Sequence, residues 1–262
     1  AVVPVAGLAT RLRPLSRGVP KGLLPVAGKP VVQWVVDELA ACGIERVVLV
    51  TGRSRAAFAA HFCGADGPEV VCAEQPRPLG LGDAILCAAP HVGEEPFAIA
   101  LGDALMGRGE PAHVIERLAG AVQAGASTAI AVEEVAPAET DRYGIVMPGG
   151  NGDPFPVLDV VEKPAPADAP SLLAVAGRYV ATAALLDALR DVAPDVKGEI
   201  QLADALSAMD GIVAVRLGPG EERFDVGTVP GYCETFVDYA LSDPQLGPAL
   251  RAHARALLDG QR

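Results

Sequence analysis

Apolar positions along the chain fall into two alternating rhythms. Short runs rich in Val, Ile, Leu and Ala predict strands at Ala1–Val5, Arg46–Val50, Glu69–Cys72, Phe97–Leu101 and Thr128–Val132. Between them, longer stretches with apolar residues three and four apart predict helices at Pro30–Cys42, Ser54–Phe62, Leu81–Ala89 and Ala112–Ala124. Pro30 suits a first helical turn, and Gly43 and Gly125 stand where helices stop. Strand–helix alternation implies a mostly parallel sheet with helices on both faces. From Tyr143 the rhythm loosens. Strand candidates Gly144–Met147, Val157–Val161 and Ala174–Val180 follow one another across the Gly/Pro-rich connections Pro148–Pro156 and Pro164–Pro170. Helices are predicted again at Ala183–Leu189, Glu199–Met209 and Gly231–Leu241, with a C-terminal helix at Pro244–Leu258. No internal repeat interrupts this order.

At 262 residues, half of them hydrophobic, the chain is long and apolar enough for one large domain. No apolar run approaches the roughly 20 residues of a membrane helix, and no charged-then-apolar leader is visible. Ala1 opens inside a predicted strand, so a few residues are expected upstream. The net charge of −12 argues against nucleic acid as a partner and makes any local cluster of cations more telling. Five cysteines (42, 63, 72, 87 and 233) lack CxxC spacing, so they read as small buried residues of a reducing cytoplasm. The four histidines (61, 91, 113 and 253) are scattered and form no nucleophile–base signature.

That cationic cluster lies directly after the first strand, in the run from Ala6 to Lys21. Arg11, Arg13, Arg17 and Lys21 place four positive charges within eleven residues. Small residues at Ala6, Gly7 and Ala9 let main-chain N–H groups approach an anion closely. Ligands of open α/β sheets bind at the carboxyl ends of strands, and a triphosphate is the anion that needs this much neutralisation. The run is neither GxxxxGK[ST] nor GxGxxG. Alone, it serves equally as a solvated basic turn.

Ala6-Gly7-Leu8-Ala9-Thr10-Arg11, with Pro20-Lys21 and Leu24-Pro25, resembles the signature loop of bacterial sugar-nucleotide pyrophosphorylases. The likeness is nearest to the UTP–glucose-1-phosphate uridylyltransferases and second to the glucose-1-phosphate thymidylyltransferases. It continues in order through Lys29-Pro30, Gln75, Leu101-Gly102-Asp103, Tyr143-Gly144 and Val161-Glu162-Lys163-Pro164. Gly177-Arg178-Tyr179, Glu199-Ile200-Gln201-Leu202 and Asp225-Val226-Gly227 complete it, to about Leu241. The resemblance implies a Rossmann-like α/β fold of the nucleotide-diphospho-sugar transferase type, with a nucleotide half at about 1–135 and a sugar half at about 136–241. Residues 242–262 would then form a C-terminal helix outside the catalytic domain.

The same resemblance distributes the roles. Ala6, Gly7, Thr10, Arg11 and Lys21 would hold the triphosphate, while Gln75 and Gly80 would read the base. Asp103 would bind nucleotide and, with Asp225, Mg²⁺, a cation satisfied by few protein oxygens. From the residues alone, an Asp beside a Gly reads equally well as a turn former. Tyr143, Gly144, Glu162, Lys163 and Gly177 would line the sugar phosphate's pocket. A carboxylate suits a vicinal diol and an ammonium suits a phosphate. Ala9 departs from the family, where glycine is usual; Gly22 for an acidic residue, Asp83 for histidine, and a short segment between His61 and Gln75 depart from its uridylyl branch.

The expected activity is the condensation of a sugar 1-phosphate, glucose 1-phosphate first, with UTP to give UDP-sugar and pyrophosphate. Arg11, Lys21 and Lys163 would act on the reacting phosphates. Residues 75–81 lean toward the thymidylyl branch, so thymidylyl or another nucleotidyl transfer to a different sugar phosphate is the rival. A nicotinamide oxidoreductase is disfavoured by the missing glycine fingerprint, and a non-catalytic nucleotide-sugar binder by the retained carboxylates. A cytoplasmic enzyme, monomeric or assembled as a dimer or tetramer and independent of membranes, completes the expectation.

Overall fold

A computed structural model describes residues 1–7, 9–107 and 113–260. Leu8 of the opening loop and Ala112 of the fourth predicted helix lie outside the described residues.

The first half runs β1 (Val2–Pro4), a small hairpin of β2 (Pro25–Val26) and β3 (Lys29–Pro30), α1 (Val31–Ala41), β4 (Arg46–Thr51) and α2 (Arg55–Phe62). It continues with β5 (Glu69–Glu74), α3 (Gly80–Ala88), β6 (Phe97–Ala100), β7 (Ala104–Met106), α4 (Val114–Gln123) and β8 (Thr128–Glu134). The second half contains β9 (Gly144–Pro148), β10 (Phe155–Glu162), β11 (Leu173–Ala181), α5 (Ala184–Asp191) and α6 (Leu202–Ser207). Then come β12 (Ile212–Arg216), β13 (Arg223–Asp225), α7 (Val229–Ser242) and α8 (Gly247–Leu258).

Nine strands form one sheet in the order β5-β4-β1-β6-β11-β8-β12-β10-β9. Pairing is parallel from β5 to β6 and between β8 and β12. β11 is antiparallel to β6 and β8, and β10 to β12 and β9. Only β10 and β11 therefore run against the rest, which makes the sheet mixed but mostly of one direction, as the apolar pattern predicts.

Strand alternation divides the core in two. Val3, Val47, Leu49, Ala98 and Ala100 face a layer containing Val31, Val35 and Leu39 of α1 and Leu118 of α4. Their neighbours Val2, Val48, Val50, Phe97 and Ile99 face Ile85 of α3, Leu185 and Leu189 of α5 and Leu206 of α6. β11 is buried along its whole length because both faces and both edges are covered. α8 buries only Gly247 of its own residues.

The departures from the predicted elements have local causes. The predicted helix Glu199–Met209 starts only at Leu202, because Glu199–Gln201 docks in extended form on the start of α3. The Ile200 amide donates to Leu79 O at 2.7 Å, and the Gly82 amide donates to Ile200 O at 2.9 Å. Strands β7 and β12 and the β2–β3 hairpin were not predicted. β7 and the hairpin are only three- and two-residue strands, too short to carry a period of two. Gly22 has a packing role: a Cβ there would lie 3.2 Å from the Phe58 ring of α2.

Candidate active site

The carboxyl ends of β1, β5 and β6 open onto a cavity of about 440 Å³ lined by Ala6, Gly7, Lys21, Gln75, Gly80 and Asp103, among others. Its floor is tight: a Cβ on Gly102 would stand 2.4 Å from Val5 Cγ1. Gly80 is equally constrained. Its φ is +97°, and a Cβ would meet Ile200 O at 2.6 Å, so the close crossing of segment 199–201 requires glycine. Gln75 is buried, and its amide donates to Gly80 O at 3.0 Å and to Asp83 Oδ2 at 2.7 Å.

A second cavity, of about 330 Å³, continues from the first and shares Leu81, Leu101, Asp103 and Glu199 with it. Arg11, Tyr143, Gly144, Glu162, Lys163, Gly177 and Asp225 all line it. Of the residues assigned by resemblance, Thr10 alone lines neither cavity; it begins a 3-10 turn, Thr10–Leu12. Arg13 and Arg17 are exposed and also line neither, so of the loop's four cations Arg11 and Lys21 line the cleft.

Two short strands bring the distant aspartates together. β7 pairs antiparallel with β13, setting Asp225 opposite Ala104, and the Val226 amide donates to Asp103 O at 3.2 Å. Asp103 and Asp225 consequently face one cavity. Asp103 Oδ2 accepts from Lys21 Nζ at 2.7 Å, yet 48 % of its side chain remains accessible for a ligand. Burial pushes this carboxyl up, but the Lys21 charge and hydrogen bond, with help from Arg11, outweigh it and hold Asp103 below the usual range. Asp225 accepts from Arg142 Nη2 at 3.3 Å and, through Oδ1, from the Gly227 amide at 2.7 Å. Among the described residues no three His, Cys, Asp or Glu side chains gather as a metal site.

Backbone irregularities shape the second cavity. Lys163 follows the end of β10 with φ +47°, a rare conformation that its amide steadies by donating to Tyr143 O at 3.0 Å. Lys163 Nζ bonds Glu162 Oε1. Gly144 pairs with Glu162 across β9–β10 and leaves room beside its carboxylate. Gly177 has φ +78° and sits where the β11–β8 register breaks, and its carbonyl accepts from the Leu101 amide at 2.9 Å.

Residues not singled out from the sequence complete the pocket: Arg142, Tyr179, Arg223 and Gln201. Arg223 lies 3.8 Å over the Tyr143 ring and pairs with Glu133. Gln201 and Tyr179 belong to family-like motifs, and Arg142 directly precedes one; Arg223 precedes Asp225 by two. Their neighbourhood in sequence was the available signal.

Beneath the cleft, Arg178 is fully buried and bonds Glu38 of α1 through Nε at 2.8 Å and Nη2 at 2.6 Å. It also donates to the carbonyls of Gly177 and Ala104, at 3.1 and 2.9 Å. The charge is thereby paired, and the turn carrying Asp103 is anchored to α1.

Chemically, the cleft sets cations beside carboxylates and offers no Ser, Cys or His among the described residues lining either cavity.

The chain belongs to the nucleotidyl transferase family, whose profile matches residues 1–242. Within it, the chain is 34 % identical to the UTP–glucose-1-phosphate uridylyltransferase of Staphylococcus epidermidis, over 98 % of this chain and 97 % of that one. A UTP-bound UGPase from Acinetobacter baumannii superposes with a TM-score of 0.85 at 32 % identity, covering 98 % of both chains. A UDP-glucose pyrophosphorylase complexed with UDP-glucose gives 0.84 at 31 % identity, over 91 % of this chain and 97 % of that chain.

Proposed function

We propose that this protein joins UTP to glucose 1-phosphate, forming UDP-glucose and pyrophosphate. The observation that carries the reading is the meeting of two cavities at Asp103, with Lys21 on one side and Asp225 and Lys163 on the other. The uridylyltransferase relatives supply the particular base and sugar.

The nucleotide occupies the cavity of Ala6, Gly7, Gln75 and Gly80, and the sugar phosphate occupies that of Tyr143, Gly144, Glu162 and Gly177. A phosphate monoester with a second pKa of about 6 is largely dianionic at neutral pH and needs no general base. Its oxygen attacks the α-phosphorus in line, and pyrophosphate leaves. Lys163 orients the attacker, while Arg11 and Lys21 meet charge developing on the leaving group. Glu162 accepts from sugar hydroxyls.

Two carboxylates on one cavity fit Mg²⁺, which binds few protein oxygens and keeps water and phosphate ligands. Asp103 and Asp225 would hold it, and when bound it neutralises phosphate charge. The nucleotide half then spans about 1–135 and the sugar half about 136–241. No described helix is long and apolar enough to cross a membrane, and we place the reaction in the cytoplasm.

The test is pyrophosphate release from a panel of triphosphates and sugar 1-phosphates. UTP with glucose 1-phosphate should give the highest kcat/KM. A clear preference for another pair would replace the substrates, and turnover of none would remove the activity.

A further inference from the structure

Gln75 lines the nucleotide cavity while its amide nitrogen is fully committed behind it. That nitrogen donates to Gly80 O at 3.0 Å and to Asp83 Oδ2 at 2.7 Å. A backbone carbonyl and a carboxylate can only accept, so the orientation of the amide follows: turning it round would set Oε1 against two oxygens. Only 6 % of Gln75 is exposed, which leaves the side chain little room to re-aim. Its Oε1 meets no donor among the described residues. Nor is it sealed in the protein, since Thr128 Oγ1 is the one such buried side-chain atom without a partner among the described residues. The cavity side of Gln75 is therefore an acceptor waiting for a donor.

Asp83 lines neither cavity. It sits in the first turn of α3, where the helix dipole favours a negative group. Any effect it has on a nucleotide passes through Gln75.

We infer that Asp83 is a positioning residue that sets base specificity by locking the Gln75 amide with its carbonyl toward the base. This rests on the reading of the cavity as the nucleotide site. A locked acceptor demands a base N–H. Uracil and thymine both carry an imide N3–H and both satisfy it. Cytosine in the same pose presents a bare N3 lone pair, and two acceptors then face each other without a proton. The lock thus rejects CTP while leaving UTP and dTTP separated by one methyl group.

The experiment compares kcat/KM for UTP, dTTP and CTP with glucose 1-phosphate in the wild type, Asp83→Ala and Asp83→Asn. The wild type should prefer UTP over CTP by about a hundredfold, since an unpaired buried polar group carries a large penalty. Asp83→Ala should narrow that ratio about tenfold. Asp83→Asn should keep it, because its Oδ1 still accepts from Gln75. If Asp83→Ala does not fold, Asp83→Leu, close to aspartate in shape but without an acceptor, provides the same comparison. Binding of UMP and CMP by calorimetry gives the ratio without turnover. An inactive wild type that still separates UMP from CMP would therefore sink the proposed reaction and spare the lock. An unchanged ratio in Asp83→Ala, or a loss in Asp83→Asn equal to that in Asp83→Ala, would overturn the lock.

Discussion

The two halves of the cleft are built from different materials. The first cavity, proposed for the nucleotide, is mostly backbone: Gly80 and Gly102 stand where a Cβ would strike neighbouring chain, and Ala6 and Gly7 offer main chain at the end of β1. The second cavity, proposed for the sugar phosphate, is mostly side chains, with Arg11, Arg142, Glu162, Lys163, Arg223 and Asp225 arriving from the opening loop, a 3-10 turn, β10 and β13. A backbone-built site is set by local conformation and tolerates little substitution at its glycines. A site built from side chains depends on long-range strand pairing to bring its charges together, and its members can be exchanged singly without loss of fold. Asp103 belongs to both.

This contrast orders the expected effects. Asp103→Ala and Lys163→Ala should each lower kcat by about a thousandfold, the scale of lost transition-state charge stabilisation, with the circular dichroism spectrum unchanged. Loss of fold in either would erase the distinction between the two sides. Glu38→Gln should cost about 3–5 kcal/mol in urea denaturation, because it leaves the fully buried Arg178 guanidinium without its counter-charge. Gly80→Ala should cost at least about 1–2 kcal/mol, since it combines φ +97° with a clash against Ile200 O. UTP binding should fall with it, whereas binding of glucose 1-phosphate alone should change less.

The Lys21–Asp103 pair gives a dependence on pH. A carboxyl held below its unfolded value of about 3.9 contributes stability that is fully present above that pH and is lost as pH falls through the folded value. The stability difference between wild type and Asp103→Asn should stay flat from about pH 5 to 8 and shrink on further acidification. A difference growing toward acid would reverse the assigned direction. The smallest effect is at Ala9, whose φ of +49° lies in the left-handed region. Ala9→Gly should stabilise by about 1 kcal/mol, raising Tm by about 2–4 °C.

The same contrast explains what could be read from the chain. Strands β1, β4, β5, β6 and β8 have clear apolar runs, so the parallel half of the sheet was legible by pattern. The loop carrying Arg11 and Lys21 was visible because its charges are contiguous. Asp103 and Asp225 are separated by more than a hundred positions, and only family resemblance joined them; the physical link is the β7–β13 pairing, three residues a side. Arg223 and Arg142 were missed because nothing local marks an arginine that reaches a pocket through Tyr143. Thr10 was assigned from its place in a motif; it begins a 3-10 turn and lines neither cavity. The extended docking of Glu199–Gln201 was hidden by a helix-like apolar period that tertiary hydrogen bonds override.

The most direct test of the central claim is a double-mutant cycle on kcat with Asp103→Asn and Asp225→Asn. If both carboxylates serve one phosphate-holding centre, the double variant should be scarcely slower than the worse single one. Two losses that multiply would mean that the aspartates act independently and that the two cavities do not share a centre.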